Sequence, residues 1–93
     1  MMSHAVVLQI AIDTDSDRDH RRSVLNEFVL PEVRSLPGFE MGVWMNDHAG
    51  TGTCVVVFDT EAHAKEAIGP LTGAGGPPIL ACGVHEVEAE ERS

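Results

Sequence analysis

Four side chains that could do chemistry fall in strand-like segments of the sequence: His85, Glu40, Trp44 and Gln9. If each segment alternates regularly, all four lie on one face of a sheet. A histidine can accept a proton near neutral pH, and a nearby carboxylate can fix its tautomer. We therefore predict His85 and Glu40 as catalytic residues beside a planar substrate that Trp44 and Gln9 bind.

The same face carries apolar positions, of which Val7 and Val57 are predicted as further substrate contacts. Each polar residue also has a simpler role. A lone Trp on a sheet face usually packs at an interface, and His85 would then be a strand-end residue with a satisfied hydrogen bond. Glu40 would be a charge at an edge or interface, and Gln9 a hydrogen-bonding group between subunits. The sequence leaves both sets of roles open.

Other residue patterns do not predict a metal site. Asp13, Asp15 and Asp17 imitate the opening of a calcium loop, but Arg18 stands at its sixth position and Val24 at its twelfth, where Gly and Glu are needed. The five histidines lack the spacing of a zinc motif.

Phosphate binding and nucleophilic catalysis are not indicated either. The glycine-rich stretch 73–76 runs into prolines and a strand, so the helix N-terminus that a phosphate site requires is absent. There is no GxSxG motif and no cysteine beside a suitable base. We predict no cofactor.

The composition indicates one small acidic domain. Residues 90–93 should form a frayed tail. A formal charge of -9 over 93 residues repels phosphate backbones and anionic lipids, so neither nucleic acid nor membrane is an expected partner. The N-terminus lacks the features of a secretory signal, so we expect a cytoplasmic protein. Cys54 and Cys82 are predicted to be buried free thiols, with a disulfide as the minor alternative.

Hydrophobic periodicity predicts six elements in the order βαββαβ. Strands are expected at 4–12, 39–46, 53–58 and 79–88. A first helix should begin near Asp17 and be kinked or briefly interrupted at Pro31. Thr60 should cap a second helix, which Gly69 and Pro70 end or tighten. This order predicts the ferredoxin-like α+β fold, in which two helices cover one face of a four-stranded antiparallel sheet.

The strands at 4–12 and 53–58 are apolar at both parities, although two helices can cover only one face of the sheet. The bulkier parity is predicted to meet the helices: Val6, Leu8, Ile10, Ile12, Phe39, Met41, Val43, Met45, Cys54, Val56, Phe58, Leu80, Cys82 and Val84. The opposite parity would be open: Ala5, Val7, Gln9, Ala11, Glu40, Gly42, Trp44, Val55, Val57, Ala81, Gly83 and His85. Burial of apolar surface contributes roughly 25 cal/mol per Å² to stability. An open face whose apolar part stays in contact with water would therefore lose several kcal/mol of stabilisation per subunit. We therefore predict a homodimer joined through the sheets, with room for a cavity.

Three segments carry a resemblance to a known family: LPEVRSLPGF at 30–39, GVW at 42–44, and VVVFDTEAHAKEA at 55–67. With them, nearly the whole chain resembles the dimeric α+β barrel superfamily, and within it the antibiotic biosynthesis monooxygenase-like group. The resemblance implies a ferredoxin-like subunit that dimerises through its sheet into an α+β barrel. Its members include cofactor-free monooxygenases of polycyclic aromatic phenols, haem-degrading enzymes, quinol oxygenases and small proteins of unknown role. This chain resembles the last kind most closely.

The functional residues of these relatives transfer poorly. The haem-degrading members use an Asn, a Trp and a His, and the nearest counterparts here are Gln9, Phe58 and His63, of which only the His matches in type. The phenol-oxidising members use Tyr and Trp side chains, whereas this chain has no Tyr and a single Trp, Trp44.

Two functions from different classes follow. The first is a monooxygenase-like homodimer that binds, and in its catalytic form oxidises, a small apolar or aromatic molecule without a cofactor. The ligand would lie between sheet and helices or between subunits. The alternative is a non-catalytic dimeric interaction or accessory module whose open face is filled by its own side chains.

Overall fold

The computed structural model describes residues 2–13, 18–73 and 78–91. It contains one antiparallel sheet of four strands in the order β2-β3-β1-β4. The strands are β1 (His4–Ala11), β2 (Phe39–Asn46), β3 (Thr51–Phe58) and β4 (Ile79–Glu86). The predicted βαββαβ order and ferredoxin-like fold are confirmed.

The first helical region is interrupted close to Pro31, as predicted. It consists of α1 (Arg18–Val24), a π-helical segment (Leu25–Val29) and α2 (Leu30–Arg34). Pro31 cannot donate a backbone hydrogen bond, and its ring crowds the preceding turn. The turn before it is widened, and the Leu30 N–H donates to the Leu25 carbonyl, five residues back. The predicted kink thus takes the form of a π-helical segment.

The second helical region is α3 (Glu61–Leu71). Thr60 has an extended backbone, and its Oγ1 accepts a hydrogen bond of 3.1 Å from the His63 N–H, which is an N-cap. The helix runs through Pro70 and ends at Thr72, whose N–H donates to the Ile68 carbonyl. The predicted cap at Thr60 is confirmed.

The two strands that are apolar at both parities, β1 and β3, are the central strands of the sheet. Their helix-facing side chains form the core with three helical residues; the cluster is Val6, Leu8, Val33, Cys54, Val56, Phe58, Ala64 and Ala67. Phe58, Val6 and Val56 are fully buried. The helix-facing side chains of the two central strands thus supply most of the core.

A β-bulge near the start of β2 changes which residues face the helices. Phe39 pairs with Phe58, but Met41 pairs with Val57, so Glu40 is an extra residue that β3 does not match. Every later residue of β2 is therefore shifted to the other face.

The predicted faces of β2 are wrong beyond this bulge. Trp44 pairs with Cys54 and packs against the core, so it lies on the helix side. Met41, Val43 and Met45 lie on the open face instead, and the last two are 42% and 49% exposed. The open face is thus more apolar than the sequence predicts.

A register shift also affects β4. Ile10 pairs with Ile79 rather than Leu80, and Leu80 is 57% exposed. Cys82 pairs with Leu8, but it is exposed because β4 is an edge strand, which corrects the prediction that both thiols are buried. Both cysteines are free, and two strand spacings separate them, about 10 Å, which is too far for a disulfide.

Several predictions lie outside the described residues: the helix start at Asp17, the acidic residue Asp15, most of the 73–76 stretch and the last two residues of the tail. Among the helices of the described ranges, none combines the length and the hydropathy needed to cross a bilayer.

Candidate functional site

A cavity of about 980 Å³ lies between the sheet and the first helical region. Its inner wall is apolar and belongs to the core or its margin: Leu8, Cys54, Val29, Val33, Leu36 and Trp44. This volume is at the upper end of the range for small-molecule sites, and an apolar wall with polar groups near the opening is typical of them. We call this space the helix-side cavity.

Trp44 reaches the helix-side cavity because the neighbouring residue on its face is a glycine. The indole lies over Gly42, and a Cβ built there would be 2.7 Å from Cζ3 and Cη2 of Trp44. The ring is only partly buried while it packs against the core cluster. It therefore presents an aromatic surface to whatever occupies the cavity.

The outer part of the helix-side cavity is lined by polar and charged side chains. They are Asp13, Arg18, His20, Arg21, Arg22, Glu32, Asn46 and His48. Arg21 Nη1 donates a 3.2 Å hydrogen bond to the carbonyl of Asp13, which ties the start of α1 to the end of β1. This polar part is called the rim below.

His48 is held at the rim by the loop between β2 and β3. It has a left-handed backbone (φ 60°), and its N–H donates to Asn46 Oδ1 at 2.8 Å. Asp47 Oδ1 accepts hydrogen bonds from the N–H groups of Thr51 and Ala49, and these bonds lower the pKa of Asp47. The loop is thus ordered by its own side chains.

The other predicted site residues do not line the helix-side cavity. Val7, Gln9, Val57 and His85 share the open face, as predicted, and Gln9 and His85 are exposed there. The structure therefore separates them from Trp44, with which they were expected to form one site.

Glu40 and His85 do not meet within one chain. They lie on β2 and β4, the opposite edges of the sheet, so three strand spacings of roughly 14 Å separate them. Glu40 Oε1 instead accepts a 2.5 Å hydrogen bond from Ser3 Oγ. The His85 ring lies along its own strand, where Nε2 is 3.3 Å from the position of a Cβ at Gly83. The expected orientation of His85 by Glu40 is therefore wrong for a single chain.

The sequence reasoning did not single out the pair of Asp59 and His63. Asp59 Oδ1 and His63 Nδ1 are 2.6 Å apart, and the hydrogen bond raises the pKa of His63 and lowers the pKa of Asp59. Gly38 allows the pair to form, because it has φ 78° and a Cβ there would overlap both Asp59 Oδ1 and His63 Nδ1. The spacing of four residues from a strand end into a helix was the available signal.

The described residues contain no candidate metal site. Within residues 2–13, 18–73 and 78–91, no three His, Cys, Asp or Glu side chains converge in a way that could hold an ion.

Comparison with known proteins identifies the fold. No family model matches the sequence, and no curated protein matches it. A solved structure of NE2512, a protein of unknown function from Nitrosomonas europaea, superposes with a TM-score of 0.66 at 14% identity, covering 100% of this chain and 96% of that one. A monooxygenase from the gene ActVA-Orf6 of Streptomyces coelicolor, solved in complex with the ligand nanaomycin D, gives a TM-score of 0.61 at 15% identity, covering 99% and 93% of the two chains. The chain therefore shares its fold with NE2512 and with this monooxygenase.

Proposed function

We propose that this protein binds an apolar or aromatic small molecule in the helix-side cavity. The observation that carries the proposal is the cavity itself, about 980 Å³ of space with Trp44 on its apolar wall. The likeness of the fold to a monooxygenase that was solved with a bound ligand supports small-molecule binding by this fold.

The activity that we propose for this site is oxygen-dependent oxidation of an electron-rich aromatic substrate without a metal or flavin. Such a reaction begins with loss of a proton from the substrate, so it needs a base within hydrogen-bonding reach. His20 and His48 line the helix-side cavity and are better located for this step than the residues predicted from the sequence. A catalytic role for His85 and Glu40 stays a prediction that would require a second site on the open face.

The second candidate is a homodimeric interaction module, and the open face favours it. Val43 and Met45 are large apolar side chains that remain 42% and 49% exposed in the single chain. A second copy of the sheet would remove them from water, which is worth roughly 25 cal/mol per Å² of apolar area. Dimerisation is compatible with ligand binding, because the two features use opposite faces of the sheet.

A neutral aromatic probe tests the cavity. N-phenylnaphthylamine is weakly fluorescent in water and bright in an apolar site, and Trp44, the single Trp of the chain, would transfer excitation to it at short range. We expect saturable probe emission excited through Trp44. Replacing His85→Ala should leave binding unchanged, whereas Trp44→Ala should weaken direct probe binding severalfold through the lost aromatic contact.

The opposite pattern, in which His85→Ala abolishes binding and Trp44→Ala does not, would move the site to the open face. Absence of saturable binding would reject the proposed function. Oxygen consumption with quinols and naphthols then separates catalysis from binding, and a protein that binds them without consuming oxygen is a binding module.

A further inference from the structure

The rim of the helix-side cavity carries an unusual share of the positive charge of this acidic chain. The whole sequence has six Lys and Arg against fifteen Asp and Glu. Three of the six, Arg18, Arg21 and Arg22, line the cavity, whereas among the carboxylates of the described residues only Asp13 and Glu32 do so. Among the described residues, the rim therefore carries more arginines than carboxylates, on a protein that is anionic as a whole.

Helix stability does not explain Arg18. The first helical region begins at Arg18 and continues to Arg34. Positive charge in the first turn opposes the helix dipole, and that turn contains Arg18 but not Arg21 or Arg22. Arg18 thus lies where the local energetics of the helix disfavour a positive charge.

The charges of Arg18 and Arg22 are not neutralised by a carboxylate of the described residues. No ion pair in those ranges includes either side chain. Arg18 and Arg22 are exposed at the rim, so their guanidinium groups can reach a bound molecule. Guanidinium groups bind carboxylate, sulfonate and phosphate oxygens through charge-assisted hydrogen bonds.

We propose that the ligand of the helix-side cavity is amphiphilic, with an apolar or aromatic body against Trp44 and an anionic group at Arg18 and Arg22. This inference rests on the proposed function, since it defines the ligand class of the same cavity. It also accounts for how an anion approaches a chain of charge -9. The local field of the rim opposes the repulsion by the rest of the protein.

A matched pair of probes tests the proposal. Anilinonaphthalenesulfonate and N-phenylnaphthylamine have the same aromatic skeleton, and only the first bears a sulfonate. Probe emission reports binding for both, and a loss of affinity in Trp44→Ala assigns that binding to the helix-side cavity. We expect the sulfonate to bind roughly tenfold more tightly than the neutral probe, and we expect that preference to vanish in about 1 M salt, where the Debye length is about 3 Å.

The double variant Arg18→Gln/Arg22→Gln should lose most of the preference for the sulfonate and keep its affinity for the neutral probe. Arg34→Gln is the matched control, because it removes a cation of the same helical region that does not line the cavity. Thermal unfolding of the double variant should be unchanged or slightly raised, which shows that it folds.

The outcomes separate the two proposals. Equal affinity for both probes in the wild type, or a preference that the double variant retains, overturns the anionic-ligand inference and leaves the cavity proposal standing. Failure of both probes to bind near Trp44 rejects the proposed function itself.

Discussion

The indole of Trp44 lies over Gly42, two residues earlier on β2, because the glycine has no side chain to hold the ring away. This contact turns Trp44 along the helix face of the sheet and makes it a wall of the helix-side cavity.

Gly42→Ala should displace the indole and weaken binding of N-phenylnaphthylamine. The added methyl would lie 2.7 Å from two ring carbons, well inside contact distance, so the ring must move. We expect a shifted Trp44 emission maximum and a stability loss of about 1–3 kcal/mol, the usual cost of overpacking. Denaturant unfolding and probe titration measure both effects.

Gly69→Ala is the control for this substitution. Gly69 lies in α3, and apart from its neighbours in the chain a Cβ there meets no atom within 4 Å. Pro70 follows directly and crowds a Cβ on the residue before it, so alanine should bring less than the usual gain in helix stability, and it should leave probe affinity unchanged. Unaltered emission and affinity in Gly42→Ala would contradict the contact between the Trp44 ring and Gly42.

The hydrogen bond between Asp59 and His63 should stabilise the fold within a limited range of pH. The pKa of His63 is raised above its ordinary 6.5, so its contribution is full below that pH and is lost as the pH rises through the folded pKa. The pKa of Asp59 is lowered from 3.8, so its contribution is present above that pH and is lost as the pH falls. Stabilisation by the pair is therefore greatest between about pH 4 and pH 6.5.

Asp59→Asn should lower the melting temperature more at about pH 5.5 than at about pH 8.5. An NMR titration of the His63 ring should give a pKa above 6.5 in the wild type and a lower one in the variant. Glu66→Gln removes a charge that also raises the pKa of His63, but without the hydrogen bond, so its effect should be smaller. A His63 pKa that does not change in Asp59→Asn would show that the pair does not form in solution.

Val43→Asp should dissociate the proposed homodimer without unfolding the chain. Val43 is 42% exposed on the open face, so a monomer should accept the charge, whereas burial against a second sheet would not. Light scattering at micromolar concentration should give a dimer mass for the wild type and a monomer mass for the variant.

Phe28→Asp provides the control for the dimer test. Phe28 is 67% exposed in the π-helical segment, away from the open face, so the same charge there should leave the mass unchanged. A wild-type monomer would contradict the proposed dimer, and a dimer that persists in Val43→Asp would contradict its location.

The two thiols should react at very different rates with an aromatic disulfide reagent. Cys54 is 7% exposed, and burial raises the pKa of its thiol, which leaves little thiolate to react. Cys82 is exposed. We expect one fast and one slow phase, with the fast phase absent in Cys82→Ser. Because Cys54 lines the helix-side cavity, a saturating ligand should slow the remaining phase further. Two equally fast phases would contradict the burial of Cys54.

Local patterns were sufficient for the order of the elements and for the cap of α3. Periodicity identifies a helix or strand from residues close in the chain, and the cap at Thr60 acts within one helical turn, so both are readable without knowing the fold. The strands that are apolar at both parities, β1 and β3, are the central strands of the sheet, a position that the strand pairing shows.

The composition of each face of the sheet was decided only by the tertiary structure. The bulge at Glu40 depends on how β2 pairs with β3, the next strand in the chain. No residue pattern within β2 predicts this bulge. One extra residue reverses the faces of everything after it. That reversal moved Trp44 from the open face into the helix-side cavity, and Val43 and Met45 from the core onto the open face.

The sequence by itself therefore determined the fold, the small acidic character and the presence of apolar residues on both faces of the sheet. Its residue spacing could not determine which side chains share a site, because a site is formed by residues that only pairing and packing bring together. Trp44 and the arginines of the rim line one cavity between the sheet and the helix, and Asp59 contacts His63 only because Gly38, far earlier in the chain, leaves room for them.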